Sequence, residues 1–190
     1  MSKLARFLPC VLVATAAMLL SACQDDVPQL PWQNVAIDEA QVDVHFPCEP
    51  QNAKAHVDFG MDIGMVQVSM VGCDAIDSTY AFSHWLLDDP RLADDALAFW
   101  QVAVLNNLKA IDGQQAKSGE PFVPAGALPL SRSIRATVEG IGPAGWTITT
   151  HGVWFARQEG EKVRIFHGVI YAPKAHHRTA DTFFEHIVLR

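Results

Sequence analysis

The chain has 190 residues, 49% of them hydrophobic, and a net charge of −7 at neutral pH. This length corresponds to one domain rather than several. An acidic surface repels nucleic acid phosphates and anionic lipid headgroups, so nucleic acid is not expected as a partner, whereas a cationic partner would be attracted at long range.

Residues 1–22 have the pattern of a bacterial lipoprotein signal peptide. Basic residues precede the apolar stretch Phe7–Leu20, and Leu20-Ser21-Ala22-Cys23 is a lipobox. A spanning helix needs about 20 apolar residues, and this stretch is shorter and interrupted by Pro9. We therefore expect cleavage before Cys23 and lipidation of its thiol, rather than a transmembrane anchor.

The lipidated cysteine determines the expected location. Several acyl chains on Cys23 are enough for stable membrane anchoring. Gln24 follows it, and similarity to other bacterial lipoproteins implies export of such a chain to the outer membrane, facing the periplasm. Residues 23–40, with Pro28 and Pro31, are predicted to be the lipidated cysteine and its tether.

Two cysteines remain in the folded part of the chain. Cys10 leaves with the signal peptide, so Cys48 and Cys73 form an even pair in an oxidising compartment. Their spacing is not that of a Cys-x-x-Cys redox or metal motif. The sequence therefore predicts a structural disulfide between Cys48 and Cys73.

The first half of the domain is predicted to consist of strands. Alternating apolar and polar residues indicate strands at 41–46, 53–59, 63–71 and 78–87. In the third strand the apolar residues change parity between Met65 and Val66. This change indicates either a bulge or a strand covered on both faces.

A long helix should follow these strands. Asp89 can cap it and Pro90 fits its first position. An apolar stripe runs from Leu97 to Ile111, and Gly113 is placed to end the helix.

The second half should return to strands and close with a helix. Strand-like runs cover 131–139, 146–157 and 162–171, and the last two are predicted to form a hairpin. A short terminal helix would be capped by Thr179 or Asp181. Because strands and helices are segregated along the chain, we expect residues 41–190 to form one α+β domain. In it, a long central helix and a short C-terminal helix should pack on an antiparallel sheet.

The chain resembles small bacterial lipoproteins with a PsbP-like α/β/α sandwich. The resemblance rests on Val42-x-Val44-x-Phe46-Pro47-x-x-Pro50, the central helix, the strand meander, and the closing segment from Thr179 to Leu189. It implies a PsbP-like fold and a binding role rather than catalysis. It supplies no catalytic residue for this chain.

No residue pattern predicts an enzyme. The nucleophile motifs Gly-x-Ser-x-Gly and Ser-x-x-Lys do not occur in the sequence. Ser83 and His84 are adjacent in a predicted strand and therefore point to opposite faces. The acidic pairs Asp88-Asp89 and Asp94-Asp95 lie at a helix start, where the helix dipole favours acidic residues.

The eight histidines do not predict a metal site, and no cofactor is expected. His151 and His167 are the only pair worth testing. A three-residue turn at Glu159-Gly160 would make them cross-strand neighbours, whereas a two-residue turn would place them on opposite faces. Even together they lack the third ligand that zinc requires.

The candidate binding residues lie on the predicted hairpin. Trp146, Trp154 and Phe166 are expected to share one open face of the sheet, with Arg157 and Arg164 near its rim. Together with the anchor and the acidic charge, they predict a non-enzymatic binding lipoprotein. Our leading interpretation is an immunity protein that neutralises a basic secreted antibacterial toxin. The alternatives are an envelope assembly or scaffold protein and, in another class, a periplasmic hydrolase or metalloprotein.

Overall fold

The computed structural model describes residues 29–60, 63–110, 119–142, 144–174 and 176–190. The lipobox and Cys23 lie outside the described residues, and so do Ile111 and Gly113. No helix among the described residues is long and apolar enough to cross a membrane.

The described residues form two antiparallel sheets and two helices. In chain order the elements are β1 Gln33–Ile37, β2 Val42–Phe46, β3 Gln51–Asp58, β4 Met65–Ala75, β5 Ser78–Leu87, α1 Ala93–Asn107, β6 Lys109–Ala110, β7 Glu120–Pro121, β8 Ile134–Ile141, β9 Thr147–Glu159, β10 Lys162–Ala172, α2 His177–Glu185 and β11 Val188–Leu189. The large sheet has the order β3-β4-β5-β10-β9-β8-β6, with β7 also paired to β8, and the small sheet has the order β1-β2-β11. The predicted α+β class and the β9–β10 hairpin are confirmed.

The large sheet is the middle layer, and apolar residues cover both of its faces. Val68 and Trp85 pack with Leu97 of α1 on one face. Val71 and Phe82 pack on the other face with the small sheet and α2. Within β4 the register with β3 runs without offset from Gly72 to Met65, so the parity change is not a bulge. Val66 and Val68 pack toward α1, whereas Met65 points the other way and is exposed.

Both helices begin and end at residues other than the predicted ones. Asp89 acts as the predicted cap, since its Oδ1 accepts a hydrogen bond from the Arg91 amide at 3.0 Å, but a 3₁₀ turn precedes α1. The helix ends at Asn107 because the chain then extends to pair with β8. For α2 the predicted caps Thr179 and Asp181 are wrong, because the helix already begins at His177.

The small sheet corrects the predicted tether. Residues 33–37 pair with β2, and a 3₁₀ turn covers Asp38–Ala40, so the folded part begins before residue 41. The backbone N–H and C=O groups of these residues bond within the sheet, whereas those of a solvated tether bond to water.

The predicted Cys48–Cys73 disulfide is confirmed, and it joins the segment after β2 to β4 across a Cα–Cα distance of 6.0 Å.

Candidate functional site

The large sheet contains a cleft where β4 and β5 diverge. These strands pair from Ala75–Ser78 to Ser69–His84, and their pairing stops there. Beyond that point β4 continues to Met65 paired with β3, and β5 continues to Leu87 paired with β10. A cavity of about 470 Å³ lies between the separated strands. Each strand therefore turns one backbone edge toward the cleft.

Apolar and polar side chains both line the cleft. Met65, Val66 and Trp85 line it together with the carboxylates of Glu39 and Asp88. Met65 is 63% exposed beside the cavity. The Asp88 side chain is 85% exposed and forms an ion pair with Lys162 at 2.6 Å.

Trp85 borders the cleft, and its side chain packs in the apolar cluster beneath α1. Only 1% of the residue is exposed, and it packs against Phe59 at a ring distance of 4.6 Å. Its indole Nε1 has no hydrogen-bond partner in the part of the chain that the structure describes. A buried indole N–H can only donate, so it lacks an acceptor in this state.

The floor of the cleft is a buried polar network. Arg164 donates from Nη1 to His84 Nδ1 at 3.1 Å and from Nε to Glu159 at 2.8 Å. Glu159 also accepts a hydrogen bond from Arg157. Arg157 and Arg164 are direct cross-strand neighbours, so Glu159 compensates two like charges that would otherwise repel.

The network shifts the pKa values of two of its members. Burial, followed by the adjacent Arg164 charge, lowers the pKa of His84 to about 4. Burial opposes ionisation of Glu159, but the hydrogen bonds from Arg164 and Arg157 outweigh it, so the pKa of Glu159 lies below its ordinary value. At neutral pH His84 is therefore uncharged and accepts at Nδ1, while Glu159 is ionised.

A serine lies next to His84 but is not arranged as a nucleophile. Ser69 is the direct cross-strand neighbour of His84, and its hydroxyl lies 3.4 Å from both carboxylate oxygens of Glu39. His84 Nδ1 is taken by Arg164. The hydroxyl and the imidazole thus have different partners, whereas nucleophilic catalysis needs them joined. Ser83 points to the opposite face from His84, as predicted, because it shares the α1 face with Met70 and His167.

The predicted open face of the hairpin does not exist. Trp154 is 3% exposed and stacks on His167 beneath α1, at a ring distance of 4.8 Å. Phe166 is fully buried on the opposite face, where it stacks on Phe155. The prediction that these side chains share one face is wrong, because the register pairs Trp154 with His167, and Phe166, one residue away, points to the opposite face.

The remaining three predicted binding residues have separate places. Arg157 donates to the carbonyl oxygens of Ala40 at 2.8 Å and Gln41 at 3.0 Å, so it holds the 3₁₀ turn against the hairpin. Trp146 is 74% exposed and precedes β9. Arg164 is the only one of the five that lines the cleft.

The histidine pair also has a definite arrangement. The turn at Gly160 and Glu161 has two residues, so His151 faces α2 and His167 faces α1. Burial is the main cause that lowers the pKa of His151 to about 4 and that of His167 to about 3. No cluster of three or more metal-ligating side chains occurs among the described residues.

Comparison with known proteins does not assign the chain to a family. No family model matches it, and no curated protein is significantly similar to it. The PsbP-like resemblance therefore stays a prediction.

Sequence reasoning missed the cleft because Trp85 and His84 lie in an ordinary apolar strand pattern. The one available indication was polar His84 inside that run.

Proposed function

We propose that this chain is a lipid-anchored, non-enzymatic binding protein on the periplasmic face of the outer membrane. In the sharper form of the proposal it is an immunity protein that captures a basic secreted toxin. We also propose that its layered fold is of the PsbP-like kind. The cleft between β4 and β5 is the observation that carries the binding role.

The chemistry of the cleft supports a cationic protein partner. Exposed Met65 and the neighbouring Val66 form an apolar part of the cleft, and burying it against a partner would be favourable. The carboxylates of Asp88, Asp89 and Glu39 line the same cleft, where lysine or arginine of a partner would compete with Lys162, Arg91 and Lys54, which pair with them in the free protein. The net charge of −7 would add long-range attraction for a basic protein.

Capture of the partner tests the proposal directly. Protein extracted in neutral detergent from cells exposed to toxin-secreting siblings should retain a basic secreted protein. Asp88→Asn should weaken this retention by about two- to fivefold, which is the usual effect of one exposed charge pair. Asp77→Asn is the matched control, because Asp77 is exposed in the distant β4–β5 turn and asparagine tolerates its positive φ of 58°.

A survival assay tests the immunity form of the proposal. Cells that lack the gene should die when challenged by secreting siblings, and restoring the gene should protect them. Unchanged survival together with no retained basic protein would refute the immunity function. Retention of envelope assembly components instead would favour the scaffold alternative.

A further inference from the structure

We propose that the cleft binds an extended, cationic peptide segment of the partner by strand addition, with the segment's backbone lying along the free edge of β5. This proposal rests on the binding function proposed above. It adds how the partner is held and which part of the partner enters.

The backbone edges of the cleft are the first argument. Trp85–Leu87 of β5 pairs with β10 on one side, and Met65–Val68 of β4 pairs with β3 on one side. In a strand the N–H and C=O groups alternate between the two edges, so both segments also present polar backbone groups to the cleft. An extended peptide supplies the complementary groups that these edges lack.

The Trp85 indole is the second and independent argument. It lines the cleft, it is 1% exposed, and its Nε1 is without a partner among the described residues. An indole N–H can only donate, so its missing partner is an acceptor. The nitrogen is itself buried, so a main-chain carbonyl of an entering segment reaches it only when the side chains that cover it move.

Charge determines the side chains of the segment. Asp88 and Asp89 follow directly after β5, so a segment lying along β5 passes these carboxylates as it leaves the cleft. Both carboxylates are already ion-paired, Asp88 with Lys162 and Asp89 with Arg91, so a basic residue of the segment would exchange with one of these side chains. Apolar residues fit against Val66 and Met65 within the cleft. The segment should therefore combine β-forming apolar residues with lysine or arginine.

The outer edge of β3 is a less suitable place for strand addition. Gln51–Asp58 is longer and exposed, but Lys54 lies in its middle, and a lysine on an edge strand opposes pairing with a second chain. It would also repel a cationic segment. No lysine lies on the free edges Met65–Val68 and Trp85–Leu87 themselves, although Lys162 and Lys54 pair with the carboxylates beside the cleft.

Calorimetric titration with a defined probe tests strand addition. The probe is an eight-residue peptide of alternating valine and lysine, acetylated and amidated, added to the detergent-solubilised mature protein. The control probe has the same side chains with every second amide N-methylated, which removes backbone donors but keeps the charge. We expect the control probe to bind at least about tenfold more weakly, because several backbone hydrogen bonds are lost.

A matched pair of variants tests the indole. Trp85→Phe should weaken the probe by about three- to tenfold, as expected for the loss of one neutral hydrogen bond. Trp154→Phe is the control, since Trp154 is equally buried and its Nε1 also lacks a partner, but it does not line the cleft. This variant should bind the probe as the unaltered protein does.

The outcomes separate this inference from the proposed function. Equal binding of both probes, or no binding of either at millimolar concentration, would overturn strand addition. Equal effects of the two tryptophan variants would overturn the role of the indole. If the protein still retains a basic partner from cells in these cases, the binding function stands and only the strand-addition mode fails.

Discussion

Removing the Cys48–Cys73 disulfide is the perturbation whose cost can be calculated from the structure. The bridge closes a loop with a sequence separation of 25 residues. In the chain-entropy model, a loop of that length contributes about 3.5 kcal/mol to the free energy of unfolding. For a domain of this size, the double variant Cys48→Ser/Cys73→Ser should therefore melt about 7–14 °C lower than the parent protein.

The assay is thermal and urea unfolding of mature protein in which Cys23 is replaced by serine. The parent protein should show no free thiol, and adding reductant should bring its melting temperature down to that of the double variant. Reductant should leave the double variant unchanged, which makes the variant its own control. A change below about 1 kcal/mol, or rapid labelling of both native thiols, would refute the structural role and return a metal or redox role to consideration.

Four further outcomes follow from the geometry. Glu159→Gln should lower the free energy of unfolding by about 1.5–3 kcal/mol at pH 7, because buried Arg164 and partly buried Arg157 lose their charged acceptor. Urea unfolding measures this, and an unchanged midpoint would contradict the network. The pKa of His84 is about 4 in the folded protein, below the 6.5 of the unfolded chain. Its contribution to stability is therefore present above pH 6.5, and roughly 3 kcal/mol of it is lost as the pH falls toward 4. The pH profile of the stability of His84→Asn should be flatter over this range. Phe166→Ala should lower the free energy of unfolding by about 3–5 kcal/mol, whereas Trp146→Ala should change it by less than about 0.5 kcal/mol, because Phe166 is buried and Trp146 is exposed. Similar melting temperatures for the two variants would contradict this difference in burial. Ile76 adopts a φ of 44°, which costs a β-branched residue roughly 1 kcal/mol, so Ile76→Asn should raise the melting temperature. A lower melting temperature in this variant would contradict that strain.

Local patterns predicted the strands and the helix order, because their causes are local. The Ser78–Leu87 strand has the predicted boundaries, and Asp89 caps the turn before α1 as expected. Alternation, capping and turn chemistry act over a few residues and can be read from the sequence. The disulfide was predictable because compartment and cysteine count left one pairing.

The candidate site was not predictable, because it depends on contacts between distant segments. Whether Trp154 and Phe166 share a face depends on a one-residue difference in hairpin register, and that register placed them on opposite faces. Separation of β4 from β5 beyond Ser69 and His84 is a property of the whole sheet rather than of either strand's sequence. The β11 strand was missed because two residues carry no periodicity.

Amide hydrogen exchange of the protein, alone and with the retained partner, tests the central claim most directly. The account predicts new protection at Met65–Val68 and Trp85–Leu87, where the cleft edges lack a pairing strand, and none along the outer edge of β3. Protection at Gln51–Asp58 or around Trp146, with the cleft amides unchanged, would contradict it.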